Sequence, residues 1–306
     1  MKTKYFLIVI SFFLIPQYFV LSRNFIAVDV TAPIMDVKMV DTASCFIVGA
    51  FGRIIFTQDG GETFEALEPG YIGNFVSVDF IDKNNGIVVS DMGMALITHD
   101  MGRTWEKSLI DNNFSYGYIR TTDSKTAFAI SFDGILYKTL DFGKNWYKLY
   151  EFSDTKINGM KFLDSQTGYV WGDHGLLSKT TDGGMNWTDI FLRDIDKRIF
   201  NFDIYENNGI VLGSNMGGSI GNSYKTMDGG ETWGYDSVLS SYKLIFFIMI
   251  DENRIIFFNR FGRYLSEDFC KSLKYDSLNN RYIDYEYNYF YKVSVFDSKN
   301  IFTVGE

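Results

Sequence analysis

A chain of 306 residues with 18% aromatic and 22% charged residues carries enough apolar material for a large packed core, which excludes a disordered protein. Three prolines exclude a Pro-rich linker or stalk. A formal net charge of −9 excludes nucleic acid as a natural partner, because phosphate binding draws on Lys and Arg.

The first element in chain order is a leader. Lys2 and Lys4 form a short basic head, and an apolar run follows from Tyr5 to Leu21, broken by Ser11, Pro16 and Gln17. Val20 and Ser22 are small enough for a signal-peptidase site. Residues 1–22 therefore read as a signal peptide, and the uninterrupted run Tyr5 to Ile15 is shorter than the ~20 residues of a spanning helix. The expectation is an exported chain, periplasmic, cell-surface or secreted, with no membrane insertion once the leader is cleaved. The two lysines are the only charges in residues 1–22, so cleavage takes −9 to −11. Residues 23–306 are expected to form a single domain. Its first apolar segment, Phe25-Ile-Ala-Val-Asp-Val30, is a spare strand before the repeats begin.

One motif then recurs. It reads Thr57-Gln-Asp-Gly-Gly-Glu-Thr-Phe64, Thr98-His-Asp-Met-Gly-Arg-Thr-Trp105, Thr139-Leu-Asp-Phe-Gly-Lys-Asn-Trp146, Thr180-Thr-Asp-Gly-Gly-Met-Asn-Trp187 and Thr226-Met-Asp-Gly-Gly-Glu-Thr-Trp233. A decayed copy is Ser266-Glu-Asp-Phe-Cys-Lys-Ser-Leu273. The central Asp falls at 59, 100, 141, 182, 228 and 268, so the spacings are 41, 41, 41, 46 and 40. A fixed period of this size marks stacked or radial repeats. Two short apolar runs precede each motif, a third leads into it and a fourth follows. That predicts four strands per repeat, with the motif as the hairpin between the third and fourth.

Each motif position has a physical reading. The Asp accepts hydrogen bonds from turn amides, the Gly at position five supplies a positive φ, and the aromatic packs between sheets. Asp59, Asp100, Asp141, Asp182 and Asp228 are thus structural, as are Trp105, Trp146, Trp187 and Trp233. In the last copy Cys270 replaces the Gly and Leu273 the Trp, which predicts a distorted turn. Cys45 and Cys270 fall in non-adjacent repeats, so free thiols are expected.

These residues match the Asp-box, or BNR, repeat. The wider run Gly175-Leu-Leu-Ser-Lys-Thr-Thr-Asp-Gly-Gly-Met-Asn-Trp187 resembles the photosystem II stability/assembly factor-like propellers, and the resemblance covers residues 34 to 306. It implies an all-β, seven-bladed β-propeller. Six full four-stranded blades lie near 34–67, 75–110, 118–150, 157–190, 201–237 and 244–277. A partial seventh, Tyr289 to Phe296 and Asn300 to Glu306, is closed by the N-terminal strand, which leaves one strand missing. A six-bladed ring is the alternative. Sialidases, xyloglucan hydrolases, sorting receptors and assembly factors all use such propellers, so the fold alone does not choose a function.

The binding face is expected where the second-to-third turns and the connectors between blades meet. The candidates there are Arg53, His174, Arg260 and Arg263 on turns, Tyr282 and Tyr285 on a connector, and Arg120 on an innermost strand. A mixed Tyr and Arg face suits a protein or peptide partner, with a glycan as the second option. Asp91, Asp133 and Asp173, at the same turn of three successive blades, supply the rival reading: a sialidase-like or xyloglucanase-like glycoside hydrolase with an acid and base pair. No Phe/Tyr-Arg-Ile-Pro segment supports a sialidase. Gly217-Gly-Ser-Ile-Gly221 has the spacing of a nucleophile elbow without the strand-turn-helix that an elbow needs. His99 and His174 lack companions at metal-ligand spacing, so neither a metal nor a cofactor is expected. The favoured reading is a non-enzymatic extracytoplasmic binding or assembly propeller for a protein segment or membrane-protein partner.

Overall fold

The computed structural model describes residues 5–15, 18–30, 33–112, 115, 117–218, 220–259, 262–275, 290–297 and 300–305; the first two and last two segments, and residues 262 and 263, are described as backbone. The described residues are almost wholly strand and turn, with one short helix, Ser237–Ser241.

Six antiparallel meanders follow the repeat. The first comprises Ile34–Met39, Cys45–Gly49, Arg53–Thr57 and Glu65–Leu67, and the second Phe75–Phe80, Gly86–Ser90, Met94–Thr98 and Glu106–Leu109. The third comprises Gly117–Thr121, Ala127–Ser131, Ile135–Thr139 and Tyr147–Glu151, and the fourth Ile157–Phe162, Gly168–Gly172, Leu177–Thr180 and Thr188–Asp189. The fifth comprises Arg198–Tyr205, Asn208–Ser214, Ile220–Thr226 and Gly234–Tyr235, and the sixth Phe246–Met249, Ile255–Asn259, Gly262–Ser266 and Lys274–Tyr275.

A seventh sheet draws on both ends of the chain, in the order Tyr18–Val30, Tyr5–Ile15, Asn300–Gly305, Phe290–Asp297. Phe25 to Val30 belongs to its outermost strand. The strand that the sequence left unassigned is Tyr5–Ile15, which pairs with the C-terminal strand from Phe6 opposite Gly305 to Ser11 opposite Asn300. The seventh sheet therefore has four strands, where the repeat count gave a partial one. Its third strand uses residues that the leader reading assigns to an export signal.

The chain divides into two compact units. One holds Met1–Phe152, Phe162–Ser165 and Tyr287–Glu306; the other holds Ser153–Lys161 and Gln166–Glu286.

Second strands such as Cys45–Gly49, Gly86–Ser90 and Asn208–Ser214 are apolar on both sides because their sheets carry a core on each face. In Cys45–Gly49, Phe46 and Val48 join the core shared with the second sheet, while Cys45 and Ile47 join a core on the opposite face. Val88 faces the first sheet, and its neighbours Ile87 and Val89 face the third. In the other unit, Val211 and Tyr224 pack toward the fourth sheet, and Ile210 and Leu212 toward the sixth. Period-two alternation thus sorts an unbroken hydrophobic run into two cores.

Candidate functional site

A four-stranded meander puts its first-to-second and third-to-fourth turns at one end. Its second-to-third turn and the connector to the next sheet lie at the other.

The Asp-box loops occupy the first end, and their carboxylates are engaged locally. Thr57 Oγ1 donates to Asp59 Oδ1 (2.8 Å), and Gly61 N–H donates to Thr57 Oγ1 (2.9 Å). Thr63 donates its N–H to Asp59 Oδ1 (2.9 Å) and its hydroxyl to Oδ2 (2.5 Å). Asp100, Asp141, Asp182 and Asp228 hold the same set of partners. The bonds to Thr63 pull the Asp59 carboxyl down to about 2, and those to Asn186 bring Asp182 to about 2. The last copy is not distorted. Cys270 N–H donates to Ser266 Oγ (2.8 Å) and Ser272 caps Asp268, with Cys270 held at φ +63° where the other copies place Gly. The loop's own hydrogen bonds thus hold the turn, and the missing Gly shows as local strain instead. Burial pushes the Cys270 thiol up to about 12 and holds the Cys45 thiol well above the usual range; both are free.

The Gly at position five also answers to packing. A Cβ on Gly102 would stand 2.8 Å from Leu67 Cδ1 of the first sheet, and one on Gly230 would stand 2.4 Å from Tyr169 Oη of the fourth. The Asp-box loops of the second, third and fifth sheets so seat on the preceding sheet. Trp146 Nε1 donates to Ser108 Oγ (3.3 Å) and Trp187 Nε1 to Gly184 O (3.0 Å). The indole N–H groups of Trp105 and Trp233 are buried without a partner among the described residues.

In the first unit the opposite end is a hydrogen-bonded platform. Gly52 N–H donates to Gly73 O (2.6 Å), and Asp91 N–H to Asn74 O (2.9 Å). Asn74 ties two turns together: its Oδ1 accepts from Phe51 N–H (3.2 Å) and its Nδ2 donates to Asp91 Oδ2 (2.8 Å). Around it stand three exposed apolar side chains, Phe51 (73%), Ile72 (90%) and Met92 (69%). Phe51 is held at φ +60°, a conformation costly for an aromatic residue.

On the innermost strands of this unit the links run one repeat apart. Asp36 Oδ2 accepts from Ser77 Oγ (2.7 Å), and Ser77 Oγ accepts from Ile119 N–H (3.3 Å). Asp79 lies between Lys38 Nζ (2.6 Å) and Thr121, whose N–H (2.7 Å) and hydroxyl (2.9 Å) both donate to it. Burial pushes the Asp79 carboxyl up, but the charges of Lys38 and Arg120 outweigh it and hold it low.

In the second unit, Asp173 Oδ1 accepts from Asn158 Nδ2 (3.0 Å), with Arg198 Nε at 3.4 Å. A groove lies between the second-to-third turn of the fifth sheet and the connector that carries the helix. Its two compartments, about 440 Å³ and about 670 Å³, share Gly218, Ile220, Ser241 and Lys243. Gly218 and Ile220 belong to the Gly217-Gly-Ser-Ile-Gly221 run, whereas Ser241 and Lys243 carry no motif in the sequence. The signal was the connector after Tyr235, which departs from the repeat by forming a helix.

The remaining candidates fall as follows. Arg53 opens a strand and is half-buried, as is Arg120, whose Nη1 donates to Ile119 O (2.6 Å). His174 is exposed at its turn with φ +56°, its N–H donating to Lys197 O (2.8 Å). Asp133 is exposed; it sits one turn position beyond Asp91 and Asp173, because Phe132 takes their place. Asp91 Oδ1 is buried without a partner among the described residues. Arg260, Tyr282, Tyr285 and the side chain of Arg263 lie outside the described residues, as does Ser219 of Gly217-Gly-Ser-Ile-Gly221. Among the described residues no cluster of His, Cys, Asp and Glu could hold a metal, and no helix is long and apolar enough to cross a membrane.

The family model described as photosynthesis system II assembly factor YCF48 matches residues 16–152. Among solved structures, YCF48 bound to a D1 peptide superposes with a TM-score of 0.73 at 22% identity, covering 90% of this chain and 91% of that one. YCF48 from Cyanidioschyzon merolae gives 0.68 at 18% identity, covering 90% and 92%. The Niastella koreensis GH74 enzyme gives 0.59 at 14% identity over 78% of this chain and 46% of its own. No curated protein matches the chain. At these identities the structural likeness speaks for the fold, an all-β propeller.

Proposed function

We propose that this Asp-box β-propeller, which resembles the photosystem II assembly factor YCF48, is a non-enzymatic extracytoplasmic module that holds a segment of a protein partner on the loop end of its sheets. The family match spans the first three sheets, and a relative similar in fold is seen with a peptide. The observation that carries the reading is the platform around Asn74. It presents Phe51, Ile72 and Met92 to solvent on backbone tied by hydrogen bonds. An exposed apolar set on a rigid support is a surface that gains by being covered, and ordering it costs little on binding. Half-buried Arg53, at the start of a third strand on this end, adds positive charge for a partner with acidic residues. The basic head and apolar run of residues 1–22 support a location outside the cytoplasm.

The test is capture from an envelope extract of the source organism by the immobilised full chain. The Phe51→Ser/Ile72→Ser variant runs in parallel, with the D1 peptide as a defined probe. A protein captured by the parent and lost in the variant supports the reading. Retention of glycan with release of reducing sugar overturns it in favour of the hydrolase.

A further inference from the structure

The groove of the second unit is built from a departure from the repeat. The outer strand of the fifth sheet is only Gly234–Tyr235, after which Asp236 caps the helix Ser237–Ser241 by accepting from Leu239 N–H (2.9 Å). Leu239 and Leu244, both fully buried, pin the connector on either side of the groove floor. Between them Asn259 Nδ2 donates to Tyr242 O (2.8 Å). Lys243 is held at φ +49°, with its N–H on Ser240 O (3.2 Å).

That leaves Lys243 as a cation fixed at its base and exposed at its tip. Its ammonium has no ion pair or hydrogen bond among the described residues. The acids nearby in the structure are engaged elsewhere. Asp236 is 2.7 Å from Lys225 Nζ, and Asp194 Oδ2 accepts from Tyr224 Oη (2.9 Å). Among the described residues Lys243 is the one charged side chain of the lining. Beside it the smaller compartment offers Asn222, Ser237 and Ser241, and the larger offers Ile220, Tyr242 and the ring of Tyr264, edge-on to Tyr242 at 4.9 Å.

We infer that this groove takes an acidic side chain of a protein segment, with the carboxylate on Lys243 and a neighbouring apolar side chain against Tyr242 and Tyr264. The chemistry is that of a mixed pocket: a few polar groups fix orientation while the aromatic wall supplies contact area. The inference rests on the peptide-binding reading and names the residue pattern that such a segment would carry.

The probes are acetyl-Phe-Glu-amide, its isostere acetyl-Phe-Gln-amide, and glucuronate as the acid of a glycan. All are titrated against the full chain by saturation-transfer NMR. The expected result is about fivefold tighter binding of the Glu probe than the Gln probe, since one partly exposed ion pair separates them. Lys243→Gln equalises the two, with an unchanged thermal midpoint. Equal affinity in the parent, a Glu preference that persists in Lys243→Gln, or glucuronate binding tighter than the Glu probe each overturns the inference. Partner capture through Phe51 and Ile72 is read on the same Lys243→Gln protein. Capture without Glu discrimination in the parent sinks only the groove, and discrimination without capture sinks only the platform.

Discussion

Lys38 and Asp79 stand 41 residues apart in the chain, one repeat of the Asp-box spacing, and their side chains meet at 2.6 Å. The same interval joins Asp36 to Ser77, and 42 residues join Asp79 to Thr121. The innermost strands of the first three sheets are therefore stitched by side chains at equivalent positions, alongside the apolar packing between sheets.

Removing either partner of that link has unequal effects. The Asp79 side chain is 5% exposed and that of Lys38 33%. Lys38→Met strands a buried carboxylate that keeps the two Thr121 bonds, and should cost about 3 kcal/mol. Asp79→Asn keeps hydrogen-bonding capacity and leaves the lysine free to reach water, so it should cost about half as much. Denaturant midpoints of the two variants check the order, and a larger loss for Asp79→Asn would refute it.

Two Asp-box glycines separate backbone strain from packing. Gly60 has φ +74°, and a Cβ there would meet nothing closer than 4.0 Å; Gly230 has φ +82°, and its Cβ would stand 2.4 Å from Tyr169 Oη. Gly60→Ala should cost about 1 kcal/mol, the strain alone. Gly230→Ala should cost about 3 kcal/mol, since it also displaces the Tyr169 hydroxyl from Gly229 O. Thermal midpoints decide, and equal shifts would show that packing contributes nothing.

Acid should act on the Asp-box loops in a defined window. The Asp59 and Asp182 carboxyls lie at about 2 when folded, below the unfolded value near ~3.9. A depressed pKa contributes stability that is present above the unfolded value and lost as pH falls through the folded one. Stability should therefore decline between about pH 4 and pH 2. The Asp59→Asn/Asp182→Asn variant starts lower at pH 7 and declines less steeply. The bonds come from neutral donors of the same loop, so the difference in slope, read from denaturant midpoints across this range, should persist in high salt.

Much of this is legible in the sequence. The 41-residue interval fixed six four-stranded meanders, because the Thr-x-Asp-x-Gly loop closes on itself and needs no distant partner. The link from Lys38 to Asp79 was not read, since neither residue has a local signature; subtracting one period from the position of Asp79 would have found it. Lys243 escaped for the opposite reason, as it lies where the repeat is broken by Ser237–Ser241. Asp91, Asp133 and Asp173 looked equivalent because the turns are, yet Phe132 shifts Asp133 by one position.

The segment Tyr5–Ile15 carries the hardest ambiguity, and it is physical. An export signal and an inner strand of a sheet can draw on the same unbroken apolar run. In the seventh sheet this strand lies between Asn300–Gly305 and Tyr18–Val30, so cleavage after Ser22 removes it together with the first five residues of the outer strand. The C-terminal strand then gains an open edge, which invites pairing with the remaining Arg23 to Val30. The leader reading predicts an intact mass for protein isolated from its source that begins at Arg23. That shortened chain should also be less stable than one retaining residues 1–22. A mass that includes Met1 would instead assign Tyr5–Ile15 to the mature fold, and stability would then fall sharply in a Val9→Asp variant.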